Sequence, residues 1–199
     1  MNEIEIRKKL DKLKDDGELN QEVINEIVLW KIGRYADVTK CSETLKKVEG
    51  LRGKKEYANE DIKQLIRTIF AISGLGRIAM ASTLLRFVNP NLFQIIDQRM
   101  MRIIYGNKDN ANNDIYEFCK HLQKDGNLAG NNDKESSVNF YVEKYLPKLH
   151  EIYKANNDLQ FHEIDRVLWQ LDKDKNGKKM SEMPKWAYNE ENELVQLTN

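Results

Sequence analysis

Hydrophobic residues recur every three or four positions along most of the chain, a spacing typical of amphipathic helices. Alternation of the kind that marks strands is scarce, and only three prolines and ten glycines occur in 199 residues. The spacing predicts helices over 3–14, 21–31, 37–50, 60–72, 77–88, 98–105, 114–124, 136–154 and 160–172. We therefore expect an all-α fold.

Several helix ends carry residue signals of their own. Asn20, Asn59 and Asp97 each precede a predicted helix and are predicted as N-caps, because their side chains accept hydrogen bonds from first-turn amides. The helix over 77–88 is expected to end at Asn89-Pro90-Asn91, since proline disfavours helix in the residue before it. Loops rich in Gly, Asn and Asp are predicted at 107–113 and 125–133.

The turn Ser73-Gly74-Leu75-Gly76 joins two apolar helices with almost no linker. Two glycines permit positive φ and a tight turn. Amides at the start of the following helix lack internal partners and lie at the positive end of its dipole, so they can bind a phosphate oxygen. Leu75 is expected to pack back between the helices, and Arg77 to add a charge-assisted contact. The alternative is an ordinary helical corner with a glycine cap.

The net charge of the whole chain does not favour phosphate binding, but the charge of the segment around the turn does. The chain has 32 Lys/Arg and 32 Asp/Glu, so its formal net charge is zero. Residues 60–108, which include the turn, carry seven Lys/Arg against three Asp/Glu. A local excess of positive charge is what contact with a phosphate backbone requires.

The segment around this turn resembles the core of a known superfamily. It reads Ile-Ser-Gly-Leu-Gly-Arg-Ile-Ala-Met-Ala-Ser from Ile72, then Pro90, then Phe-Gln-Ile-Ile-Asp-Gln-Arg over 93–99. This is similar to the helix-hairpin-helix DNA glycosylases, which include endonuclease III and the 3-methyladenine glycosylases. The 21 residues from Gly76 to Asp97 are close to that family's separation. Residues 29–31 and 165–169 also look like the ends of a compact relative.

The resemblance implies that the protein binds double-stranded DNA and removes a damaged or modified base by hydrolysing its N-glycosidic bond. In that reading, Arg99 and Arg102 steady phosphate or the cap of the following helix. The backbone phosphate would be held by Gly74, Leu75, Gly76, Arg77 and Ile78. The resemblance further implies a monovalent cation, K⁺ or Na⁺, on the backbone carbonyls of Phe70, Ile72 and Leu75.

The sequence departs from the family's pattern at three points, and these restrict the activity that we expect. Ser73 stands where the family usually has proline, and Ile78 stands where bifunctional members carry their Schiff-base lysine. The two cysteines, Cys41 and Cys119, fall short of the four that an iron–sulfur cluster needs. Any activity is therefore expected to be monofunctional, with neither lyase chemistry through that lysine nor a cluster.

Asp97 stands at the position that the family would make catalytic. Cleavage of an N-glycosidic bond builds positive oxocarbenium character on the sugar, and a nearby carboxylate stabilises it and can orient water. Alternatively, Asp97 is only the N-cap of the helix over 98–105; the two roles are compatible. A second hypothesis for the whole chain is a non-catalytic module that uses the same hairpin on DNA or on a protein partner.

Other features argue against further chemistry. The sequence from Asp172 to Met183 opens like a calcium loop, but Lys179 and Met183 stand where the loop needs an apolar residue and a glutamate. The three histidines lack the spacing of metal ligands. No apolar stretch approaches the length of a membrane span, and the acidic start is unlike a signal peptide. We expect a cytoplasmic monomer with no membrane partner.

For the domain organisation, we predict one compact two-lobed domain over 1–172, with the hairpin at the lobe junction. Residues 173–199 are more polar. They are expected to form a loosely attached tail, pinned by Trp186 and Tyr188.

Overall fold

The structure of the protein, a computed structural model, describes residues 21–32, 38, 40–106, 134–156, 160–177 and 184–197. It is mostly helical, as the periodicity predicts. The helices are α1 Gln21–Ile32, α2 Ser42–Glu49, α3 Asn59–Phe70, α4 Ile78–Val88, α5 Gln98–Tyr105, α6 Lys134–Phe140, α7 Leu146–Ala155 and α8 Ile164–Asn176. A five-residue π-helical turn, Tyr141–Tyr145, joins α6 to α7, and a 3₁₀ turn, Phe161–Glu163, precedes α8. Strands β1 (Trp186–Tyr188) and β2 (Leu194–Gln196) form an antiparallel ribbon.

Most helix bounds follow the hydrophobic pattern closely. The helix predicted over 98–105 is α5, and the one predicted over 77–88 is α4 within a residue. The N-cap predicted at Asn59 is wrong: α3 begins at Asn59 itself, after Ala58 in extended conformation, and no side chain caps it. The predicted N-cap Asn20 and the helices over 3–14 and 114–124 lie outside the described residues.

The core is built around α4. Every residue of this helix except Ala79 is buried. A helix that is apolar on all sides belongs inside a fold, because no face gains from contact with water. Helices α1, α2, α3 and α6 pack against it, and one continuous hydrophobic cluster extends from α1 to Tyr188 in β1.

Two buried ion pairs attach α8 to the rest of the fold. Arg86 in α4 donates to Asp165, with distances of 3.1 and 3.2 Å between the guanidinium nitrogens and the carboxylate oxygens. Arg102 in α5 donates to Asp172 at 2.8 and 2.7 Å. Each pair is a forked contact of a guanidinium with a carboxylate, the strongest geometry for such a bond.

The C-terminal segment differs from the loosely attached tail predicted over 173–199. Helix α8 continues to Asn176 rather than ending at 172, and the ribbon packs against α5 and α8. Ala187 and Tyr188 are buried. The Asn176 side chain accepts from the amides of Lys185 and Trp186 and donates to the Trp186 carbonyl. Strands of three residues are too short for an alternating pattern to reveal them.

Within the described part of the chain, no helix is both long enough and apolar enough to cross a lipid bilayer.

Candidate nucleic-acid interface

The turn Ser73-Gly74-Leu75-Gly76, between α3 and α4, is fixed to the core by one buried side chain. Leu75 is 1% exposed, and its amide donates to the Ile72 carbonyl at 3.0 Å. The predicted packing of Leu75 into the protein is therefore confirmed. Ser73, Gly74 and Arg77 are exposed around it. Gly74 has φ +85°, a left-handed conformation that a residue with a Cβ adopts only at a cost.

Gly76 lies where the chain passes close to the end of α3. A Cβ built on Gly76 would come within 3.3 Å of the Phe70 carbonyl oxygen, closer than an ordinary van der Waals contact. The two glycines therefore have different reasons to be there. Gly74 supplies the left-handed turn, and Gly76 lets two backbone segments approach one another.

The start of α4 presents amides with no internal partner. Arg77, the N-cap residue, has extended backbone, and its side chain makes no capping bond. The Met80 and Ala81 amides donate to the Arg77 carbonyl. Within the described part of the chain, the amides of Gly76, Ile78 and Ala79 have no hydrogen-bond partner. Such donors at the positive end of a helix dipole suit an anion.

The side chain of Ile78 is 1% exposed. Any contact it makes with phosphate is therefore through its backbone amide. Ile78, which by the resemblance takes the place of the nucleophilic lysine of bifunctional glycosylases, therefore packs its side chain in the hydrophobic core.

Asp97 is the N-cap of α5, as predicted. Its Oδ1 accepts from the Met100 amide at 3.0 Å, and its carbonyl accepts from the Met101 amide at 3.0 Å. The residue has extended backbone and is half-buried.

The three residues before Asp97 are bonded to side chains from elsewhere in the fold. The Ile96 amide donates to Ser82 Oγ in α4 at 3.2 Å, and the Ile95 amide donates to the Asp165 carboxylate at 3.3 Å. The Gln94 and Ile95 carbonyls accept from the hydroxyls of Tyr141 and Tyr145. None of these partners was predicted from the sequence, since an aromatic residue in an apolar helix gives no sign of where its hydroxyl binds.

The structure corrects the phosphate role predicted for Arg102. Its side chain is fully buried, and besides Asp172 it donates to the Gly177 carbonyl at 2.9 Å. A guanidinium with no exposed surface does not reach a DNA phosphate. Asp172, the first residue of the calcium-like sequence, is thus the counter-charge for Arg102.

Arg99 also binds the carboxylate of Asp172. Its Nη1 lies 3.0 Å from Asp172 Oδ2 and 3.2 Å from the Gly177 carbonyl oxygen. Its guanidinium also lies 5.3 Å from the centre of the Trp169 ring, and the side chain is 15% exposed. Arg99 therefore connects α5 to α8, and only its edge faces solvent.

The three carbonyls predicted to hold a monovalent cation belong to Phe70, the last residue of α3, and to Ile72 and Leu75 in the turn that follows. Those of Ile72 and Leu75 accept from the amides of Leu75 and Arg77, at 3.0 and 2.8 Å, and that of Phe70 faces Gly76. Neutral carbonyl oxygens suit a monovalent cation, and each keeps a second lone pair. In the described residues, no group of three or more His, Cys, Asp and Glu could hold a metal ion.

Two adjoining grooves follow α3. The larger has a volume of about 640 Å³ and lies between residues 51–58 and the start of α3, and the other, of about 390 Å³, continues along α3 to Thr68. Leu51 and Ile62 contribute to both floors, with Lys54 and Asp61 beside them. Asp97 lines neither groove.

Comparison of the chain with protein-family models, with curated proteins and with solved structures gives no match. The resemblance to the glycosylases therefore stands on the motif over 72–99 and on the geometry described above.

Proposed function

We propose that the protein binds duplex DNA through the turn between α3 and α4 and hydrolyses the N-glycosidic bond of a damaged or modified base. The observation that carries this proposal is the arrangement of the turn. Leu75 is buried, Gly74 takes a left-handed conformation, and three amides from Gly76 to Ala79 have no partner within the described part of the chain. These amides supply donors for a phosphate without a side chain in the way.

Phosphate contact at this turn would fix the position of the protein on the duplex without reading sequence. Arg77, exposed beside the amides, adds positive charge at the same point. The target base is then rotated out of the duplex, as enzymes that act on a base require. A cation on the carbonyls of Phe70, Ile72 and Leu75 would add a further positive charge near the phosphate.

Asp97 is the proposed catalytic carboxylate. The hydrogen bond from Ile96 to Ser82 attaches its segment to α4, and α4 is the helix that begins at the phosphate-binding turn. In this reading the carboxylate stabilises the positive sugar in the transition state and orients water towards it. The two-lobed arrangement, with DNA reaching Asp97 between the lobes, is part of the same proposal.

A panel of duplexes that each carry one damaged or modified base tests the proposal. We expect abasic sites to form in at least one duplex, with strand breaks only after heat and alkali. Because Ile78 replaces the lysine, borohydride should trap no covalent adduct. Trapping of an adduct would show that another amine performs the chemistry. Failure to excise any base of a broad panel would contradict the glycosylase activity.

A non-catalytic DNA-binding module is the second candidate. It is favoured by the hydrogen bond between Asp97 Oδ1 and the Met100 amide, since capping alone accounts for an aspartate at this position. The same panel separates the candidates. Binding to duplex DNA without excision would favour the module, and absence of binding would leave a protein partner for the turn.

A further inference from the structure

The segment from Gln94 to Ile96 is buried but belongs to no helix or sheet. Gln94 and Ile96 are fully buried and Ile95 is 8% exposed. Connecting segments usually run over the surface, where water satisfies their peptide groups. Here the segment passes through the protein interior and ends at the proposed catalytic carboxylate.

Side chains from three different elements take the place of a sheet. The hydroxyl of Tyr141 donates to the Gln94 carbonyl at 2.8 Å, and that of Tyr145 donates to the Ile95 carbonyl at 2.5 Å. The amides of the same segment are bonded as well. The Ile95 amide donates to the Asp165 carboxylate in α8, and the Ile96 amide donates to the Ser82 hydroxyl in α4. Four side chains thus bind both polar groups of two successive peptide units, Gln94–Ile95 and Ile95–Ile96, just before Asp97.

The two tyrosines come from the π-helical turn. They bound its five residues, their rings stack with centroids 5.7 Å apart, and both are fully buried. The amide of Leu146 donates to the Tyr141 carbonyl, five residues back, which widens the helix at this point. π turns inserted into α-helices are rare and occur frequently at functional sites.

We infer that Tyr141 and Tyr145 are positioning residues that set the place of the Asp97 carboxylate through the peptide groups of Gln94 and Ile95. This inference rests on the proposed function, because it assigns the π-helical turn a role in the same chemistry. Neither tyrosine touches the substrate. Buried aromatic rings have few alternative rotamers, so a hydroxyl carried on one is a firm support for a carbonyl.

Electrostatics agree with the geometry. Burial raises the pKa of Tyr145 well above its ordinary value, and the negative charge of Asp97 contributes to the same increase. The hydroxyl therefore stays protonated and remains a donor to the Ile95 carbonyl.

The test compares Tyr141→Phe, Tyr145→Phe and the double variant with the control Tyr153→Phe. Tyr153 is a half-buried tyrosine in α7, and its ring packs edge-on against Phe161 with ring centroids 5.7 Å apart. The first readout is hydrogen exchange of the Met100 amide, which Asp97 caps, relative to the Ile104 amide in the same helix. This ratio cancels a uniform loss of stability.

In the double variant we expect Met100 protection to fall roughly threefold to tenfold relative to Ile104, about what loss of one hydrogen bond allows. The control should leave the ratio unchanged. An unchanged ratio in all three test variants would overturn the positioning role, whatever the protein does to DNA.

The second readout is single-turnover base excision alongside DNA affinity. We expect the excision rate constant to fall about tenfold or more in the double variant, with an unchanged Kd, because a small displacement of a catalytic group is costly. If Met100 protection falls while excision does not, the support does not serve catalysis. If the wild-type protein excises nothing, the proposed function fails, and the positioning role is still decided by Met100.

Discussion

At the residue scale, Gly74 and Leu75 have opposite tasks in one turn. The buried leucine fixes the turn to the core, and the exposed glycine takes a conformation that L residues avoid. Both tasks could be predicted from the sequence, since they depend on neighbours within a few positions. The burial of Arg102 could not, because its partner Asp172 lies 70 residues away.

Asp97 is the residue at which capping and catalysis make different predictions. Asp97→Asn keeps the size and the cap, because asparagine is about as good an N-cap as aspartate. It removes the negative charge that, in the proposed mechanism, faces the developing oxocarbenium ion. We expect base excision to fall about 100-fold or more, which corresponds to roughly 2.7 kcal/mol at 1.36 kcal/mol per decade. DNA affinity and Tm should hardly change.

Asp97→Ala is the matched variant for the cap. It should cost about 1 kcal/mol of folding stability in addition to the loss of excision. The measurements are single-turnover excision, DNA binding and thermal melting of both variants. A protein that excises bases and retains full activity as Asp97→Asn would show that a different carboxylate performs the chemistry.

At the element scale, most helices could be predicted, whereas the ribbon and the supports of the segment before Asp97 could not. The apolar spacing predicts α4 and α5 within a residue of their bounds, because helical periodicity is a local property of the sequence. The ribbon β1–β2 and its attachment to Asn176 depend on contacts with α5 and α8. The supports of the segment before Asp97 likewise come from residues 14 to 70 positions away.

The attachment of α8 to α5 gives a stability prediction. Asp172 is fully buried and neutralises both Arg99 and Arg102. Asp172→Asn keeps the shape but removes the charged carboxylate that both guanidinium groups bind, and breaking a buried pair in this way typically costs about 3–5 kcal/mol. Denaturant unfolding measures the change in the free energy of unfolding.

The control is Asp174→Asn, which replaces an exposed aspartate in the same helix that is bonded to Gln170. This substitution should change stability by less than about 0.5 kcal/mol. Similar effects of the two substitutions would contradict the structural role of Asp172.

The contact between α7 and the 3₁₀ turn before α8 predicts a dependence on pH. His150 stacks on Phe161 with ring centroids 4.0 Å apart, and burial, aided by Lys154, lowers its pKa from the ordinary value of 6.5. The unfolded chain therefore takes up a proton at a higher pH than the folded protein does. The contribution of the neutral His150 ring to folding stability is complete at pH values above the pKa of His150 in the unfolded chain. It is lost as the pH falls through the pKa of His150 in the folded protein.

The variant His150→Phe keeps a ring against Phe161 and cannot titrate. Denaturant unfolding from about pH 7.5 to about pH 5 should show a smaller loss of stability on acidification in this variant than in the wild type. Equal losses in the two proteins would mean that His150 takes no part in the acid sensitivity.

At the scale of the whole molecule, the fold is organised around α4. This helix begins at the exposed turn, runs through the core, and binds the segment before Asp97 through Ser82. A single helix thus connects the proposed phosphate site with the proposed catalytic carboxylate. The net charge is zero, so the proposed DNA affinity depends on a few local contacts rather than on a general attraction to the polyanion.

The most direct test of the central claim is the salt dependence of duplex binding by the wild type and by Gly76→Val. The matched control is Gly50→Val, because a Cβ at either glycine meets a backbone carbonyl oxygen at 3.3 Å, and Gly50 lies away from the turn. We expect the wild-type log Kd to rise with log salt by about 0.9 per phosphate contacted. Gly76→Val should weaken binding regardless of DNA sequence, and Gly50→Val should not. Duplex binding that is absent, insensitive to salt, or equal in the two variants would contradict the claim that this turn holds DNA.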